Sequence, residues 1–83
     1  MITPAQCRAA RGLLSWSQQI LATSAGVGIV TVRQLEAGTA EPRRATLKVV
    51  RQAMERAGVE FIDENSNAGA GVRFKRRSIP VAK

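Results

Sequence analysis

The chain has 83 residues, 45% of them apolar, which confines it to one domain with a single modest core and excludes a two-domain enzyme. Thirteen Lys and Arg against six Asp and Glu give a formal net charge of +7, a balance that favours a polyanionic partner such as nucleic acid. With no histidine and a single cysteine, an intramolecular disulfide is excluded, a Cys/His zinc site has no ligand set, and neither a metal nor another cofactor is expected. Cys7 is therefore read as a small buried hydrophobe. No stretch approaches the roughly 20 apolar residues of a membrane span, and no basic-then-apolar leader precedes the first elements, so the expectation is a cytoplasmic protein away from the membrane.

Thr3-Pro4-Ala5-Gln6 has the form of a capping box, in which Thr3 caps, Pro4 fits the first helical position and Gln6 reaches back. A first helix starts there, with Cys7, Ala10 and Leu14 at helical spacing and Arg8 and Arg11 on another face, ending near Leu14. Ser17 is a good N-cap for a second helix, whose Ile20, Leu21 and Ala25 are expected to face inward, and Gly26 breaks it. A third helix over about 28–37 carries Val32 and Leu35 three apart and stops at Gly38. The stretch Thr39 to Arg43, containing Pro42, reads as a loop. Leu47, Val50, Met54 and Ala57 then mark one face of a fourth helix ended by Gly58, with Lys48, Arg51, Gln52, Glu55 and Arg56 on its wet side.

Beyond Gly58 the pattern turns β-prone: Val59-Glu60-Phe61-Ile62 and Val72-Arg73-Phe74-Lys75 flank a polar, glycine-containing connection and read as a hairpin over 59–75. A lone hairpin is marginal in water, so Phe61 or Phe74 has to pack on the helices or on a second subunit. Residues 76–83 read as a basic flexible tail.

The segment Ser17-Gln18-Gln19-Ile20-Leu21-Ala22-Thr23-Ser24-Ala25-Gly26-Val27, followed by Thr31-Val32-Arg33-Gln34-Leu35-Glu36-Ala37-Gly38, resembles the Cro/CI-type, or XRE, helix-turn-helix family of transcriptional regulators. The match covers the Gln, Leu-Ala, Gly, Val and Leu-Glu-x-Gly positions, and the four-helix pattern extends it to about residue 58. The resemblance implies a mainly all-α, four- to five-helix lambda-repressor-like DNA-binding domain, here with a short C-terminal β-hairpin. In such a scaffold a small Ala22 lets two helices cross closely, Gly26 permits the turn, and Val32 and Leu35 anchor the second helix.

The same resemblance implies that the second motif helix enters the major groove of double-stranded DNA, with Ile29, Val30 and Gln34 at base-reading positions. Gln18 matches a glutamine that contacts the DNA backbone, and Thr31 and Arg33 stand available for phosphate. Arg43, Arg44 and Lys48 cluster just after this helix and are further candidates for backbone contact, each of them also readable as a solvated surface charge. The chain departs from the family pattern at Gly28, where Ser or Thr is common, and at Ile29 and Val30, where polar or basic residues are common. Apolar side chains can meet a thymine methyl but supply no base-distinguishing hydrogen bonds.

The expected function is thus a sequence-specific DNA-binding transcriptional regulator, a repressor acting as a homodimer. The alternative is a helix-turn-helix fold recruited to bind a protein partner through the apolar Ile29/Val30 face. An enzyme is not expected, since no base accompanies the serines, no glycine-rich phosphate loop is present, and no spacing sets two carboxylates in a pocket. The sequence gives no sign of a small-molecule ligand.

Overall fold

Residues 1–76 are described by the computed structural model, and they form four helices followed by one β-hairpin. The helices are α1 (Pro4–Leu14), α2 (Gln18–Ala25), α3 (Ile29–Ala37) and α4 (Arg44–Arg56); the strands are β1 (Val59–Ile62) and β2 (Gly71–Phe74). The architecture is mainly helical with a small two-stranded antiparallel sheet. Among the described residues, no helix is long and apolar enough to cross a membrane.

Local chemistry sets most of these boundaries. Thr3 Oγ1 accepts from the Gln6 N–H at 3.0 Å while Gln6 Oε1 accepts from the Thr3 N–H at 2.9 Å, the reciprocal pair of a capping box. Ser17 Oγ accepts from the Ile20 N–H at 3.1 Å and starts α2. Gly26 ends it with φ of 72°, and the Val27 N–H donates back to the Ala22 carbonyl, which turns the chain within residues 26–28. The Ser15 φ of 57° is a left-handed position held by a residue other than glycine, and it closes α1.

The core consists of one face from each helix and from β1, with Val72 of β2 packed against it. Cys7 and Ala10 of α1, Leu21 and Ala22 of α2, Val32 and Leu35 of α3, and Leu47, Val50, Ala53 and Met54 of α4 are buried together with Ile2, Val59 and Phe61. Two inward positions differ from the sequence expectation. Ile20 is 46% exposed, because one helical step of about 100° separates it from Leu21, which with Ala22 takes the contact with the neighbouring helices. Ala57 caps α4 and lies at the surface, and Ala53, one turn earlier, fills the inward place.

β1 and β2 pair in the register Val59↔Phe74, Glu60↔Arg73, Phe61↔Val72 and Ile62↔Gly71. The second strand therefore begins at Gly71 and ends at Phe74, one residue earlier than its β-prone run suggested. Strand alternation turns Val59 and Phe61 inward onto the helices, while the connection is held by Asn65, whose Oδ1 accepts from the N–H groups of Asn67 and Ala68. The hairpin is tied to α1 by Gln6, whose Nε2 donates to the carbonyls of Ile62 (3.1 Å) and Gly71 (2.9 Å). The Arg51 guanidinium stands over the Phe61 ring at 5.4 Å and adds a tie to α4. Of the two places open to the hairpin, Phe61 takes the one on the chain's own helices, and Phe74 remains 44% exposed. The basic tail expected over 76–83 lies, beyond Arg76, outside the described residues.

Candidate functional site

Positions 18–36 form two helices that meet on a buried carboxylate. Glu36 follows Leu35 on the inward side of α3 and is only 3% exposed. Its Oε2 accepts from Arg11 Nε at 2.6 Å, and its Oε1 from Arg11 Nη2 at 2.8 Å, a two-pronged ion pair between α1 and α3. Gln18 Nε2 donates to Oε1 at 3.0 Å and brings in α2, and the Cys7 thiol donates to Oε2 at 3.3 Å. Arg8 donates to the Glu36 backbone carbonyl, and Arg11 Nη1 to the Trp16 carbonyl at 2.9 Å. Three helices are thereby fixed around one charge.

The electrostatics follow from this arrangement. Burial opposes ionisation of Glu36, but the hydrogen bonds from Arg11, Gln18 and Cys7 outweigh it and hold the carboxyl below its ordinary 4.5. Burial, then the Glu36 charge beside it, pushes the Cys7 thiol from 9.0 up to about 12. Cys7 is thus an inert, protonated donor, consistent with its reading as a buried small residue.

The outer side of α3 is different in character. Gly28 caps α3 without a side chain, so the first-turn N–H groups have no side-chain acceptor. Ile29 is half-buried and packs back against the core, whereas Val30 is 57% exposed. Arg33 and Gln34 are exposed three and four residues after Val30, and Ala37 seven after it, so the four share one helical stripe. Thr31 and Gln34, together with Arg43 and Thr46, line an open cleft of about 350 Å³ between α3 and the start of α4.

The expected site residues therefore fall into groups. Val30, Arg33 and Gln34 form the outer stripe, and Thr31, Gln34 and Arg43 share the cleft beside it. Arg44 and Lys48 line a separate groove with Met1, Ile2 and Arg51 on another side of α4. Ile29 sits at the junction of stripe and core, and Gln18 is half-buried with one amide hydrogen given to Glu36, which leaves a single N–H for an outside acceptor.

Two residues with a part in this site were not singled out from the sequence, and a third, Glu36, matched the Leu-Glu-x-Gly positions without being given a role. Thr46 and Glu41 line the cleft, Glu41 adding a negative charge beside Arg43, and Glu36 organises the scaffold. Glu36 did leave a signal, since it stands four residues after Val32 on the apolar face of its helix. No protein-family model matches the chain, and no curated protein matches it either.

Proposed function

We propose that the chain is a sequence-specific DNA-binding transcriptional regulator, a repressor built on a lambda-repressor-like scaffold, that inserts α3 into the major groove of double-stranded DNA. The observation that carries this reading is the exposed stripe of Val30, Arg33 and Gln34, with Thr31 and Arg43 in the adjoining cleft, on a chain of net charge +7. An α-helix fits the major groove, Gln34 has the donor and acceptor pair that suits adenine, and the side-chain-free cap at Gly28 lets the helix end approach closely. Arg33, Arg43, Arg44, Lys48 and Gln18 are the backbone-contacting groups, with Thr31 beside them. Such a protein works in the cytoplasm.

The test is selection of bound duplexes from random DNA, followed by titration at two salt concentrations. With about five phosphates neutralised, by Arg33, Arg43, Arg44 and Lys48 together with a basic residue near the C-terminus such as Lys75, log K falls against log salt with a slope of about −4 to −5. Arg43→Ala combined with Arg44→Ala lowers that slope by about 2 while leaving the selected sequence the same. The absence of both an enriched sequence and a salt-dependent affinity would overturn the proposal.

A second reading, in which the same face docks a protein partner, is favoured by the exposure of Val30. Val30→Glu weakens either partner, whereas the Arg43/Arg44 double variant weakens mainly DNA. Of Ile29 and Val30, Val30 is the better probe, since Ile29→Glu also disturbs the core.

A single module offers a small footprint, and a homodimer on an inverted repeat doubles it. Phe74 stands opposite Val59 at the end of the inward row of the hairpin, and among the described residues it is the exposed large apolar group of the hairpin left for a second copy. Sedimentation of a Phe74→Ser variant tests this: the dimer should dissociate, and an unchanged mass would rule out the hairpin as the interface.

A further inference from the structure

Resting on the DNA-binding reading, we infer that Val30 reads the 5-methyl group of a thymine, and that Val30 and Gln34 together select a thymine and an adenine close to one another. In the first turn of α3 no side chain able to hydrogen-bond a base edge shares the outward position of Val30, as Gly28 has none, Ile29 is turned to the core, and Thr31 is half-buried in the cleft beside α4. Val30 is the apolar group presented outward, at 57% exposure on a helix whose inward face is already filled by Val32 and Leu35. In the major groove, the one apolar group that distinguishes a base is the thymine methyl.

Gln34 stands one turn further on the same stripe, about 6 Å along the helix axis at about 1.5 Å per residue. Base pairs are stacked about 3.4 Å apart, so the two side chains reach bases within about two steps of each other. Gln34 can take the N6 and N7 groups of an adenine in two hydrogen bonds. The order of the two bases along the strand follows from the docking angle.

Deoxyuridine differs from thymidine by that methyl alone, which makes it the direct probe. In the duplex selected from random DNA, each thymine is replaced singly by deoxyuridine, and affinity is read by fluorescence anisotropy for the wild-type chain, Val30→Ala and Gln34→Ala. The expected result is a loss of about fourfold at one thymine per half-site, the equivalent of about 0.8 kcal/mol for one buried methyl at 1.4 kcal/mol per tenfold. Val30→Ala removes the difference between the two duplexes, while Gln34→Ala keeps it and loses preference at the adenine. Circular dichroism of Val30→Ala confirms that the fold is intact. If duplexes are enriched but no thymine is sensitive to the replacement, or Val30→Ala keeps the sensitivity, the inference fails while DNA binding stands. If no duplex is enriched, both fail.

Discussion

Replacing Arg11 by alanine strips Glu36 of both prongs of its ion pair while leaving the carboxylate 3% exposed. Gln18 and Cys7 remain as donors, but neither carries a charge. Breaking a buried pair from one side costs about 3–5 kcal/mol, and the lower end applies here because water reaches Arg11, which is 20% exposed. A loss of about 3 kcal/mol is a large share of the about 4–12 kcal/mol expected for a chain of this size, and lowers Tm by about 12–24 °C. Glu36→Gln is milder, about 1–2 kcal/mol, because the orphaned guanidinium is partly hydrated. The double variant Arg11→Met with Glu36→Leu recovers most of the loss by removing both charges.

The pH dependence gives the sharper reading. In the wild-type chain Glu36 is held below 4.5, so its contribution is present above that value and is lost as pH falls through the lowered one. In Arg11→Ala the burial is no longer outweighed, the carboxyl rises, and acidification relieves the buried charge. Urea titrations followed by Trp16 fluorescence at pH 7 and pH 4 should therefore show the gap between wild type and variant narrowing in acid. A cost under about 1 kcal/mol, equal at the two pH values, would refute the account and mark the pair as solvent-screened.

Other outcomes test the remaining structural claims. Gln6→Ala removes the donor shared by the Ile62 and Gly71 carbonyls and half of the capping box, and should cost about 2 kcal/mol, with hydrogen exchange speeding most in the hairpin amides. Ser15→Gly relieves a left-handed residue and should raise stability by about 0.5–1 kcal/mol in thermal melts. Gly38→Ala, at φ of 69°, should lower it by about 1 kcal/mol through backbone strain, because the added Cβ meets Pro4 Cγ at an ordinary 3.8 Å. Cys7 should stay unreactive to a thiol reagent at pH 8 until the chain unfolds. Its raised folded value also means that stability is lost as pH climbs from about 9 towards about 12, a limb that Cys7→Ala removes.

The helices and their ends were legible because their causes are local. Thr3 and Gln6 cap each other within one turn, Ser17 caps the next helix, and Gly26 and Gly38 adopt the positive φ that their neighbours cannot take cheaply. Val32, Leu35, Leu47, Val50 and Met54 announced the core through spacing alone. Spacing misplaced Ile20 and Ala57, where a shift of one helical step decides between core and water and the neighbouring helices make that choice.

The candidate site divides in the same way. The residue types along 28–44 marked an apolar, cation-flanked helix, but whether Ile29 or Val30 points outward depends on how α3 is rotated against the core. Gln18, which the motif matches to a glutamine contacting the DNA backbone, is half committed to Glu36 in the fold, and Arg11, 25 residues before Glu36, is removed from the free cations by the same carboxylate. The sequence by itself determined the caps, the turns and the charge balance, since each rests on groups within a few residues of one another. The tertiary structure alone decided which charges are paired and which side chains of α3 remain outside, because these depend on where elements distant in the chain come to rest.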